Sequence, residues 1–254
     1  MKRAIIVIFL LCLLAPILQA QELWKVRRYE FGVGFGPSMF FGDVGGFSKT
    51  KNILGLRDMS LLQTRYNFNL NAKYRITREI NIRFSFTQGL LHATDVRGSN
   101  PGRGYEASTS IIEPAILGEY YFIKNNVEGD YSFVKGRNGF LSGVLSTLDV
   151  YAFTGLGGLI YSSTPNALLK AREVEMGITP GGFTGVVPVG VGGSLAFNSN
   201  FSFGLELSGR YSFSDNLDGY TSQFSSSNDV YYFLNLTVLY KIKTTKQGFP
   251  TFKK

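Results

Sequence analysis

Asn200-Phe201-Ser202-Phe203-Gly204-Leu205-Glu206-Leu207-Ser208-Gly209-Arg210-Tyr211-Ser212-Phe213 alternates almost residue by residue. Phe201, Phe203, Leu205, Leu207, Tyr211 and Phe213 share one parity. Ser202, Gly204, Glu206, Ser208, Arg210 and Ser212 share the other. In a strand, successive side chains point to opposite faces, so this stretch has one apolar and one polar face.

The same pattern recurs outward from it. Tyr66, Phe68, Leu70, Tyr74 and Ile76 oppose Asn67, Asn69, Asn71, Lys73 and Arg75 over 66–76. Ile80, Ile82, Phe84 and Phe86 oppose Asn81, Arg83, Ser85 and Thr87 over 80–88, and 230–242 places Tyr232, Leu234, Leu236, Val238 and Tyr240 on one side. Stretches 29–41 and 186–198 carry glycines on the polar parity, which suits a crowded interior. Stretches 108–122 and 149–161 read as strands by composition, the latter with either face outward. The sum is about eight strands, an even number, and an antiparallel up-and-down transmembrane β-barrel is the expected fold. A soluble sandwich shares the alternation. Strands of ten or more residues with aromatics near their ends fit the membrane barrel better.

Composition and the N-terminus agree with export. Phe (22), Tyr (14) and Gly (30) are abundant and only 17% of residues are charged, so apolar area is large but dispersed. Lys2 and Arg3 precede an apolar run, and Ala20 offers a small residue before Gln21, so residues 1–20 read as a signal peptide. That run is shorter than the roughly 20 residues a spanning helix needs. Cys12 lies inside it and follows Leu11 rather than a small residue, so lipidation there is disfavoured and the mature chain has no cysteine. Removing Lys2 and Arg3 from the formal net charge of +8 leaves a basic mature protein. No Lys/Arg-rich run tracks a nucleic-acid backbone, so nucleic acid is not an expected partner.

The connections sort into two ends. Thr77-Arg78-Glu79 and Ser199 read as tight turns, which belong on the periplasmic side of an outer-membrane barrel. Segments 42–65, 93–106, 162–185 and 214–229 are long and polar and read as external loops. The insert 124–148 falls on the periplasmic side, and residues 244–254 form a basic tail after a barrel spanning 21–243. The inward parity carries Lys73, Arg75, Arg83 and Arg210 against Glu30, Glu113, Glu119 and Glu206. An eight-stranded interior is only wide enough for side chains to fill it, so these groups are expected to pair in a polar plug rather than line an ion path. The periplasmic side gathers Lys25, Arg27, Arg28, Arg78, Lys124, Lys135, Arg137, Lys241, Lys243, Lys246, Lys253 and Lys254. This basic rim suits anionic headgroups or an acidic partner, with Lys135, Arg137, Phe140 and Phe252 as candidate contacts.

Catalytic signals are sparse. His92 is the sole histidine, with Asp95 close by in sequence, and surface placement near the headgroups explains it without chemistry. Asp215-Asn216-Leu217-Asp218-Gly219 has loose calcium-like spacing but lacks further ligands, so turn chemistry is the expected role. No cofactor or metal site is expected, nor an enzyme. Trp24, the only tryptophan, stands before the first strand as an interfacial anchor.

Tyr29-Glu30-Phe31-Gly32-Val33 leading to Phe40-Phe41-Gly42-Asp43-Val44 resembles the opening strand of PorG-like outer-membrane proteins. Arg65-Tyr66-Asn67-Phe68-Asn69 resembles the second strand of that family, and 210–220 resembles its most recognisable stretch. The resemblance implies an outer-membrane barrel without enzyme activity. It also implies an accessory or anchoring role in type IX protein secretion, beside PorK- and PorN-like periplasmic ring proteins. A barrel whose external loops bind a surface ligand or protein is the alternative expectation.

Overall fold

The computed structural model describes residues 27–45, 63–97, 100–124, 147–198, 200–221, 228–245 and 249–251. Strands β1 (Tyr29–Phe41), β2 (Arg65–Arg75), β3 (Ile80–Thr94) and β4 (Glu106–Ile123) follow one another. Then come β5 (Leu148–Pro165), helix α1 (Ala167–Met176), β6 (Gly181–Ala196), β7 (Phe201–Ser212) and β8 (Val230–Ile242). Each strand pairs antiparallel with the next, and β8 returns to β1 with Tyr29 opposite Ile242 and Phe41 opposite Val230. The result is a closed eight-stranded up-and-down barrel, as the alternation predicts. Closure satisfies every strand edge, which a bilayer demands because its core offers no water to backbone groups.

The parity is clean. Phe31, Phe35, Leu70, Phe84, Ile116, Leu156, Val191, Leu205 and Leu236 stand exposed on the outside, while Asn67, Asn69, Asn71, Ser85 and Thr87 are buried inside. An apolar outside around a polar inside is the inverse of a soluble domain and suits hydrocarbon. No helix among the described residues is long and apolar enough to cross a membrane; the crossing is made by strands.

Strand β5, whose face composition left open, turns Tyr151 and Phe153 inward, both buried. The reason lies across the ladder. Phe153 is opposite Gly190 and Tyr151 is opposite Gly192. A Cβ at Gly190 would stand 2.5 Å from Phe153 Cζ, and one at Gly192 would stand 2.6 Å from Tyr151 Cζ. The two glycines of β6 are therefore the seats of the two rings, as polar-parity glycines in a narrow interior suggest.

The start of β1, the turn between β2 and β3, the end of β4, the turn between β6 and β7 and the end of β8 share one end of the barrel, here the terminal end. The opposite strand ends form the loop end. Residue ranges there differ from the sequence expectation. β3 continues to Thr94, β5 to Pro165, and β6 begins at Gly181, so 162–185 is not one irregular loop. Its middle is α1, capped by the Asn166 side chain accepting from Leu169 N (2.9 Å) and ended by Gly177 at φ 68°. Only Leu169 and Glu173 of α1 are buried, too narrow a stripe to announce a helix in the sequence.

Candidate functional site: a braced lumen under a folded cap

The barrel interior is built from the polar parity of every strand; the eight charges assigned to it from the sequence form three neutral sets, and Asp149 of β5 with Lys124 adds a further pair. Arg75 of β2 meets Glu30 of β1 at 2.7 Å. Lys73 of β2 meets Glu119 of β4 at 2.9 Å and Glu206 of β7 at 3.8 Å. Arg83 of β3 meets Glu119 at 2.7 Å and reaches both oxygens of Glu206, at 2.8 and 2.9 Å. The third set stands nearer the loop end, where Arg210 of β7 meets Glu113 of β4 at 3.3 Å. All eight groups are buried. A buried charge is tolerated only when paired and hydrogen-bonded, and here each cation has a carboxylate.

Aromatics, which the sequence parity of β5 and β8 did not single out as functional, complete the filling. Tyr151 donates to Glu206, and Tyr231 donates to Glu113 Oε2 at 2.6 Å. Tyr121 donates to Glu119 at 3.2 Å while accepting from Asn81. Arg83 lies over the Phe153 ring at 4.3 Å, and Arg210 over Phe233 at 4.2 Å. Strands β3 and β7 stand opposite each other in the ring, as do β4 and β8. The Arg83–Glu206 and Tyr231–Glu113 bonds therefore cross the lumen and leave it filled with side chains.

The loop end is closed by a second, apolar layer. Phe40, Leu91, Ile111, Leu159, Tyr231 and Phe233 from the strands pack with Val44, Leu169 and Leu217 from the connections. The segments expected as long polar external loops also supply apolar residues, and parts of them fold onto the mouth. Carboxylates pin them there. Asp218 accepts from Val44 N (2.9 Å) and Tyr220 N (3.0 Å), and Asp229 accepts from Leu217 N (2.7 Å). Asp95 accepts from Gly45 N (3.0 Å) and holds Arg103 through both oxygens, at 2.7 and 2.8 Å. Arg103 lies over the adjoining rings of Tyr105 and Tyr220, at 4.8 and 4.7 Å. In 215–219, Asp218 serves turns and a distant backbone N–H, and Gly219 takes φ 75°. No group of three or more His, Cys, Asp or Glu among the described residues is placed to hold a metal ion.

Two sequence expectations are corrected by geometry. His92, expected at the surface near the headgroups, is buried, and the nearby Asp95 is held by Arg103. The His92 Nδ1 lies 3.0 Å from Ser108 Oγ and its Nε2 lies 3.4 Å from Glu106 Oε1. The three side chains resemble a nucleophile–base–carboxylate set in outline. Ser108 sits mid-ladder between His92 and Thr164, where strand N–H groups are committed to neighbours, so no donor pair awaits an oxyanion. Glu106 is also half exposed, and the set is a polar contact on the barrel wall.

Lys124 is the second. It is not part of an exposed basic rim: its Nζ lies 3.3 Å from Asp149 and 3.9 Å from the Tyr121 ring centroid, and its side chain is only 7% exposed. Burial, with Arg75 nearby, pulls its ammonium down to about 8 against the attraction of Asp149. Arg78 and Lys243 are exposed at the terminal end. Residues 1–20, Trp24, Lys135, Arg137, Phe140 and Phe252 lie outside the described residues.

Solved structures with similar backbones are small outer-membrane barrels. Ail, the attachment invasion locus protein of Yersinia pestis, solved with the heparin analogue sucrose octasulfate, is 13% identical, with 85% of this chain and 98% of Ail covered and a TM-score of 0.43. Neisserial surface protein A is 13% identical over 84% of this chain and 96% of its own, with a TM-score of 0.42. A major outer membrane protein from Thermus thermophilus is 11% identical over 84% and 99%, with a TM-score of 0.41. No curated protein matches the sequence. One family model covers residues 2–244, nearly the whole chain, and the protein therefore belongs to the family described as a domain of unknown function, DUF6089.

Proposed function

We propose that this barrel is a non-enzymatic outer-membrane anchor, an accessory component of a type IX protein secretion machine that holds PorK- and PorN-like periplasmic ring proteins at the membrane. The observation that carries the anchoring role is the braced lumen: with Arg83 and Glu206 bonded across it, the barrel is a rigid solid rather than a conduit. A filled barrel offers its two ends and its wall, not a passage. The terminal end carries exposed Arg78 and Lys243 beside the single exposed acid Glu79 among the described residues there, and a net positive end steers an acidic partner. The link to secretion rests on the resemblance of 29–44, 65–69 and 210–220 to PorG-like proteins.

Gentle detergent extraction of the tagged protein, with identification of co-purifying chains, tests the reading. Periplasmic ring proteins are the expected companions. Recovery of surface lipoproteins or external ligands instead would establish the second reading, a loop-end binding barrel. That reading draws on Leu168 and Val174, which α1 leaves exposed above the cap.

A further inference from the structure

The cap over the mouth contains a pair of carboxylates that no cation among the described residues accompanies. Asp218 and Asp229 are both buried, and they belong to the two ends of the connection between β7 and β8. Asp218 Oδ2 and Asp229 Oδ1 approach the same point: a Cβ added to Gly42 would stand 2.6 Å from the first and 2.8 Å from the second. The absence of a side chain at Gly42 is what lets the two carboxyls converge. Both oxygens of Asp218 already accept backbone N–H groups, from Val44 and Tyr220. Asp229 uses Oδ2 for Leu217 N and leaves Oδ1 beside Gly42, at the point that Asp218 Oδ2 also reaches.

We infer that the cap is a proton-operated latch, in which a proton on Asp229 Oδ1 is shared with Asp218 Oδ2 and holds the loops of the mouth closed. The chemistry follows from the surroundings. Asp43 faces the pair from the segment after β1, and Asp215, whose Oδ2 accepts from Thr221, faces it from its own connection. Both are acidic. From α1, the buried Glu173 carboxyl crowds Gly219, next to Asp218; of the two cations of that helix, Lys170 acts on Glu173 and Arg172 is paired with Glu175. From the connection between β3 and β4, Arg103 donates to the Asp43 carbonyl, but its charge is committed to Asp95. Two buried carboxylates with acidic neighbours cannot both ionise cheaply. Burial raises Asp218 to about 7, and burial together with Asp218 raises Asp229 well above the carboxylate range.

The latch joins distant parts of the chain. Asp218 holds Val44, 174 residues away, and Asp229 holds Leu217, which fills the apolar mouth. Losing the proton places two negative charges side by side in a dry site, and the relief is to lift 215–221 into water. In an opened cap each carboxyl titrates near 3.8, its ordinary value. Closure is therefore firmest below about pH 4. It weakens as pH rises from there up to the closed-state values, and across that window opening grows by about tenfold per pH unit for each proton that the closed cap holds and the open cap releases.

Hydrogen–deuterium exchange of the full chain in lipid nanodiscs from pH 5 to 8, divided by the intrinsic exchange rate of each peptide, reads the latch directly. Peptides covering Val44 and Leu217 should lose protection by at least about tenfold per pH unit, while strand peptides from β2 and β3 stay constant. Asp229→Asn places an amide donor where the proton sits and should keep the cap protected at every pH. Asp218→Asn faces one backbone N–H with an amide instead of an oxygen and should lose protection even at pH 5. Wild-type protection independent of pH overturns the latch. So does protection at pH 8 that disappears with EDTA and returns with calcium, since a cation would then be joining the carboxylates.

Discussion

Arg83 and Glu206 form a two-pronged ion pair across the full width of the barrel, joining strands four places apart in the ring. Glu206 also accepts from Tyr151, and Arg83 also meets Glu119, so both charges belong to one buried network. Removing one member strands the other in a dry interior. Arg83→Leu or Glu206→Leu should each cost about 3–5 kcal/mol, and the double replacement should cost less than the sum of the two. Urea unfolding of the four proteins in detergent, followed by heat-modified gel mobility, gives the cycle. Additive losses would show that the pair is not acting as a unit.

Leu205 is exposed on the outer wall, at 49% of its surface, and faces hydrocarbon when the barrel is inserted. Leu205→Arg should reduce insertion free energy by about 2–4 kcal/mol if the residue lies near the bilayer midplane. Leu205→Phe should insert normally. Equal folding yields of the two variants into lipid vesicles would refute the outward assignment of this parity.

Gly192 is the seat of the Tyr151 ring, and Tyr151 in turn donates to Glu206. Gly192→Val should push that ring out of place and destabilise the barrel by about 1–3 kcal/mol, the usual cost of overfilling a packed interior. Gly193, one residue on and of the outer parity, has nothing nearer than 3.8 Å to a Cβ. Gly193→Val should leave the unfolding midpoint unchanged.

A lumen filled by crossing ion pairs has no continuous water path. Purified protein in planar bilayers should be electrically silent. Unitary currents that persist through repeated purification would contradict the filled interior.

Lys124 titrates near 8 in the folded barrel and near 10.5 when unfolded, because burial disfavours its charged form. Between those values the unfolded chain holds more protons than the folded one, so stability rises with pH across the window. The gain should be roughly 3 kcal/mol, since each pH unit is worth about 1.4 kcal/mol. Unfolding free energies of wild type and Lys124→Met measured from about pH 7.5 to 10.5 isolate it. Parallel curves would rule it out.

The barrel was legible in the sequence because lipid outside and polar groups inside impose period two on every strand, and 66–76, 80–88 and 201–213 display it openly. Strand length and glycine placement follow from the same constraint. Charges could be assigned to the interior from parity alone, since parity is a local property of the chain. Which charge meets which is not local. Arg83 and Glu206 are 123 residues apart, and only closure of the ring brings β3 opposite β7. The cap was hidden for a related reason: Val44, Leu169 and Leu217 come from three separate connections, and their common burial depends on those connections folding over one mouth. Lys124 looked like a surface cation because nothing beside it in sequence shows that Asp149 and Tyr121 enclose it. Local alternation thus determined the wall of this protein, and contacts across the ring, where loop closure joins residues far apart in the chain, decided what fills it and what covers it.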